Sequence, residues 1–256
     1  MHMHRNTAAA RTGRMTRQLH AALAGVAMAL LFLSCSLAAE PRWRQAQRIP
    51  QGANEVIGAQ IGDALLVYGG QSQGGEPMGI FWMYEPNGDR WTQLPSNPVP
   101  VHHATAVGID NKFYLFGGFV LVKEQGFNGW GPVNNAWVFD LDTRSWSALP
   151  PMPTARGALC AAAVGRKIHV LGGASIPQGS PLKGLIPPGP VQQSDANEIL
   201  DVDTQTWSTG KPLPTARNHM DAAAEINGRI YAVSGVNNAG GAGPLSVVNV
   251  TEIFGD

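Results

Sequence analysis

The chain has 256 residues, and its 18 Lys and Arg balance 18 Asp and Glu, leaving a formal net charge of zero. That balance excludes a basic nucleic-acid binder, and no basic stripe runs through residues 40–256. Two cysteines exclude a disulfide framework, while 31 Gly and 19 Pro point to short strands punctuated by turns rather than long helices.

Residues 1–39 read as a secretory signal peptide. Basic residues run to Arg17, an apolar core runs from Ala21 to Leu33, and small residues follow through Ala39. Thirteen apolar residues are too few to span a bilayer. Cleavage after Ala38 or Ala39 leaves an exported chain, periplasmic or extracellular, with no membrane span in its mature part. Ser34-Cys35 raises a lipoprotein anchor at Cys35, but Phe32-Leu33 fits a lipobox poorly. One cysteine, Cys160, then remains, and it cannot form an internal disulfide.

Residues 41–48, with Trp43, read as a lone outer strand. Four repeats follow, at about 53–95, 102–150, 157–212 and 219–256, all within a domain of residues 40–256. Trp43, Trp91, Trp146 and Trp207 keep step with the doublets Gly69-Gly70, Gly117-Gly118, Gly172-Gly173 and Ser234-Gly235. Spacings are 48, 55 and 61 residues for Trp, and 48, 55 and 62 for the doublets. Landmarks that drift together mark one unit with variable loops, and a period near fifty predicts an array of small sheets. The third repeat shows four strands: Ala158–Val164, Ile168–Leu171, Asn197–Val202 and a short one around Trp207. Asp89, Asp142 and Asp203 read as turn formers, and the four Trp as core.

An apolar strand ending in Gly-Gly, an aromatic-Asp segment, then Trp and a Pro-rich exit resemble the Kelch repeat over about residues 41–256. The resemblance implies an all-β Kelch-type β-propeller of four-stranded antiparallel blades. The fourth repeat stops after its third strand, Asn249 to Asp256, and residues 41–48 offer an outer strand without partners. Pairing the two would close a four-bladed ring; the alternative is an incomplete larger propeller.

In such a meander the loops between second and third strands share a face with the inter-blade segments. Those loops are Gln71–Met78, Phe119–Val133, Ala174–Asp195 and Val236–Val248, with Phe127, Trp130, Leu185 and Ile186 as large apolar groups. The inter-blade segments add Glu55, His102-His103, Arg156, Arg217, His219 and Asp221. This ring suits an anionic or polyhydroxylated ligand, with Arg forking onto a carboxylate; Arg bonding to carbonyls of the adjacent blade is the structural alternative. On a strand, His102 and His103 would face opposite ways. His169, at the position of Tyr114 and Tyr231, reads as packing.

No Gly-rich phosphate loop, His-Glu-x-x-His helix or Cys-x-x-Cys pair occurs, so neither a cofactor nor a metal is expected. Three functions remain. The first is an exported binding module presenting its loop face to a protein or glycan. The second is a sugar mutarotase, since signal peptide and blades are similar to the bacterial sialic-acid mutarotases. There Glu55 or Asp221 would serve as base, His103 or His219 as acid, and Arg156 or Arg217 on the sugar carboxylate. The third is a truncated propeller without independent activity.

Overall fold

A computed structural model describes residues 42–124, 127–180, 191–220, 222–237 and 246–255. It divides into residues 1–46 and 47–256. In the first unit, residues 42–46 carry no strand and Trp43 is fully exposed, so Trp43 is not a core residue. Residues 1–41, including Cys35, lie outside the described residues.

Among the described residues of 47–256 are four blade sheets and two small hairpin sheets, all antiparallel. The first is β1 (Asn54–Ile61), β2 (Ala64–Gln71), β3 (Pro77–Glu85) and β4 (Arg90–Gln93), paired in chain order. The second begins with β5 (Thr105–Ile109) and β6 (Lys112–Phe116). A hairpin, β7 (Phe119–Glu124) and β8 (Phe127–Pro132), interrupts it before β9 (Ala136–Asp140) and β10 (Ser145–Ala148). The third starts with β11 (Cys160–Val164) and β12 (Lys167–Leu171). After the small pair β13 (Ala174–Ser175) and β14 (Gln192–Gln193) it resumes with β15 (Asn197–Asp201) and β16 (Thr206–Thr209). The fourth has three strands among the described residues: β17 (Ala222–Ile226), β18 (Arg229–Val233) and β19 (Thr251–Phe254).

Local sequence explains the repeat. Each inner hairpin closes over two residues, the first in the left-handed region: Gly62, Asp110, Gly165 and Asn227, with φ of 55°, 53°, 57° and 54°; in the fourth, Gly228 follows at 79°. These are the residue types that tolerate that region. Asp142 and Asp203 lie in the outer turns, which the carboxylates of Asp140 and Asp201 close by accepting main-chain N–H groups two and three residues on. In the second and third blades the first glycine of the doublet is required by its neighbours as well as by φ. A Cβ on Gly117 would lie 2.4 Å from the Arg156 carbonyl oxygen. Ser234 occupies the same place at φ 57°, its hydroxyl donating to the Val248 carbonyl at 2.9 Å.

Small residues on β1, β5, β11 and β17 let the sheets converge on a shared cavity of about 250 Å³, lined by Gly58, Ala104, Ala106, Ala161 and Ala223 among others. Three apolar cores fill the spaces between successive blades. That between the first two is the most aromatic, with Trp146 against Tyr68, Phe81, Phe113 and Phe139. The outer-strand indoles also tie blades together, Trp146 Nε1–H donating to the Pro95 carbonyl at 2.7 Å and Trp207 Nε1–H to that of Pro150 at 2.8 Å.

The fold is thus all-β, a four-bladed propeller arrangement with almost no helix. Residues 42–49 carry no strand, so the outer strand expected there is absent among the described residues, and β19 pairs with β18 alone among them. No helix among the described residues is long and apolar enough to cross a membrane.

Candidate functional site

The residue leading into each inner strand has the same backbone shape. Glu55, His103, Ala158 and His219 have φ of 57°, 53°, 53° and 48°. Left-handed conformations cost non-glycine residues on the order of 1–3 kcal/mol each. Because Ala158 adopts it too, the conformation belongs to the repeat, which leaves the side chain free to serve another purpose. Val56, Ala104 and Leu159, which follow three of these residues, line the central cavity. Glu55, His103 and Ala158 therefore border one end of the cavity, and His219 joins them through its contact with His103.

Three of them carry polar groups that meet. His103 Nε2 stands 3.4 Å from a Glu55 carboxylate oxygen. The rings of His103 and His219 are edge to face with centroids 5.2 Å apart. The His219 Nδ1–H donates to the Asn218 side-chain oxygen. Trp130, carried in by β8, packs against His102 and His103 at centroid distances of 4.7 and 5.3 Å.

His102 and His103 do not face opposite ways. Their Nδ1 atoms are 2.6 Å apart, a distance that needs one shared proton. Strict alternation holds only while both residues are extended, and the left-handed turn at His103 breaks it. With the His103 Nε2–H directed at Glu55, His102 Nδ1–H becomes the donor to His103 Nδ1. His102 Nε2 is then a buried lone pair with no partner among the described residues. Burial pushes His102 down to about 4 and His103 down to about 3, the latter helped by its two neighbouring imidazoles. Near pH 7 the contact with Glu55 is therefore carboxylate to neutral imidazole.

Arg156 and Arg217 sit elsewhere. They are 1% and 0% exposed. Arg156 donates to Glu198 at 2.6 Å, to Thr154 Oγ1 at 2.8 Å and to the Gly172 carbonyl. Arg217 donates to Glu252 at 2.5 Å and to the carbonyls of Ser234, Thr215 and Ala232. Their own carbonyls accept from Gly118 and Gly173 of the preceding blade, at 2.9 and 2.8 Å. Each Arg is a staple between blades. The signal for the acidic partners is that Glu198 and Glu252 occur only in the two repeats that carry Pro-Thr-Ala-Arg.

Asp221 lies outside the described residues, as do Leu185, Ile186 and the side chain of Phe127, whose backbone opens β8. The segment Phe119–Val133 is a paired hairpin rather than an open loop. His169 is buried, its Nδ1 3.0 Å from Asn197 Oδ1. Cys160 is buried in β11. No group of three or more metal-ligating side chains is found among the described residues.

Residues 33–235 match the KLHDC2/KLHL20/DRC7 Kelch-repeats domain. The chain belongs to this Kelch-repeat family. Alpha-scruin of Limulus polyphemus is 26% identical over 192 residues, which is 75% of this chain but 19% of the scruin. Beta-scruin of the same animal is 29% identical over 141 residues, 55% of this chain and 15% of that protein. Human Kelch-like protein 34 is 35% identical over 97 residues, 38% of this chain and 15% of its own length. The chain thus spans less than a fifth of each of these relatives. The solved structure of YjhT superposes with a TM-score of 0.61 at 18% identity, covering 80% of this chain and 66% of that one; this is a likeness of fold alone.

Proposed function

We propose that this Kelch propeller is an exported interaction module that holds a protein partner on the face where Glu55, His103, His219 and Trp130 meet. Kelch propellers are typically protein-interaction modules. One observation carries the choice of face: segments from three blades and the β7–β8 hairpin bring a carboxylate, imidazoles and an indole together over the central cavity. An aromatic anchor beside polar groups is the usual make-up of an interface hot spot. Screening the purified chain against peptide and glycan arrays tests it. A ligand whose affinity falls tenfold or more in Trp130→Ala supports the reading, and a glycan ligand would change the partner class. Binding indifferent to Trp130→Ala and His219→Ala together would remove this face from the function.

Export is part of the proposal and rests on residues 1–39. The mature protein should begin at Ala39 or Glu40 on N-terminal sequencing; a lipid-modified Cys35 would replace release by anchoring.

Mutarotation draws on the same residues but with fewer parts. The guanidinium groups of Arg156 and Arg217 are directed into their own blades. A His103 held down to about 3 is a poor proton donor near pH 7. Glu55 and His219 stay in reach of a sugar, and anomer exchange unchanged by Glu55→Gln in proton NMR would end that reading.

A further inference from the structure

The arginines placed at the channel mouth on sequence grounds suggest an anionic ligand, and their burial reverses the sign. Arg156 is neutralised by Glu198 at 2.6 Å and Arg217 by Glu252 at 2.5 Å, both inside the blades. Lys123, on the hairpin that carries Trp130, is paired with Glu76 at 2.9 Å. What faces the mouth among the described residues is a set of acceptors. The Glu55 side chain is 40% exposed. His219 is exposed, and its Nδ1 bonds to the Asn218 side-chain oxygen. Beside them lies the half-buried indole of Trp130, stacked on Phe119 and packed against His102 and His103. Burial also keeps His102 and His103 from adding positive charge.

Below this end lies the cavity of about 250 Å³, lined by main chain and by Val56, Gly58, Ala104, Thr105, Leu159 and Ala161 among others. We propose that the channel mouth binds a basic side chain of the partner protein, a lysine ammonium or an arginine guanidinium, with the Glu55 carboxylate as its counter-charge. The inference rests on the interaction reading above and adds the chemistry of what is recognised.

The test uses single side-chain probes on the full mature chain, so it does not depend on knowing the partner. Histidine ring signals are followed by NMR as Nα-acetyl-lysine methylamide and Nα-acetyl-arginine methylamide are added. Nα-acetyl-glutamate methylamide and N-acetylneuraminic acid serve as the acidic comparison. The expected result is a saturable shift of the His103 and His219 signals with the two cations and none with the acids. Glu55→Gln should weaken cation binding at least tenfold, and Glu55→Asp should keep most of it. His219→Ala, at an exposed position, should weaken it as well and guards against a misfolded Glu55 variant. No saturable shift with either cation, equal affinity in Glu55→Gln, or preference for the acids would overturn the proposal. If array ligands depend on Trp130 yet tolerate Glu55→Gln, the interaction face stands and the basic-side-chain inference falls.

Discussion

Arg156 and Glu198 show what a repeated motif is for. The side chains are 1% and 5% exposed, so both charges have left water and depend on each other. Removing one partner of a buried pair leaves the other uncompensated, at about 3–5 kcal/mol. Glu198→Gln should therefore lower stability by about that amount in urea denaturation; a loss under about 1 kcal/mol would mean that water reaches the guanidinium. The histidine pair responds to pH in a definite direction. His102 and His103 are pushed down to about 4 and about 3, against 6.5 for a free imidazole. Below about pH 6.5 the unfolded chain takes up protons that the folded chain refuses, so stability is complete above that value and declines toward pH 3. For both rings the loss between pH 7 and pH 5 is on the order of 2–4 kcal/mol. Melting at the two pH values should show it. His103→Asn, a residue at ease in the left-handed region, should shrink the difference. A melting temperature equal at pH 5 and pH 7 would mean that the pair is hydrated.

At the scale of strands, one slot is filled in two ways. Positions facing the second strand in register are Trp82 and Trp137 in the first two blades and Glu198 and Glu252 in the last two. The residues in the Arg position are correspondingly Ala53, Val101, Arg156 and Arg217. A blade thus takes either an ion pair or an indole with a small residue, and the swap is visible only once register is known. In the last blade the two sides of the sheet differ sharply. Ile230 is 1% exposed in the core shared with the third blade, whereas Ile253 is 56% exposed. Ile230→Ala should cost about 2–5 kcal/mol, and Ile253→Thr should stay within about 0.5 kcal/mol. Comparable losses at both would show that β19 is covered in solution. The strands of the third repeat were legible to within one or two residues because β-branched and alanine runs stop at Gly, Asp and Thr. Less legible was the hairpin β7–β8, where Gly129, Gly131 and Pro132 read as loop although main-chain pairing holds them. The meeting of His102 with His103 was hidden for another reason: a positive φ at a histidine leaves no mark in the sequence.

Across the whole molecule the blades are unequal. The first two share Tyr68, Phe81, Phe113, Phe139 and Trp146, rings that bury large areas and pack edge to face. The core between the third and fourth relies on Cys160, Ala162, Leu171, Met220, Ile230 and Ala232, which together offer less apolar surface. The fourth sheet also ends at β19, a strand that pairs on one side only among the described residues. In an array whose units touch mainly their neighbours, local opening follows local interface strength rather than one global value. Native-state hydrogen exchange should therefore grade along the chain, slowest for amides of β2, β6 and β9, intermediate in β12, fastest in β19. Low urea should steepen the gradient by releasing the fourth blade before the first two lose protection. Uniform protection from β2 to β19 would mean that the four blades open as one unit. The inter-blade staples at Arg156 and Arg217 would then outweigh the difference in core size.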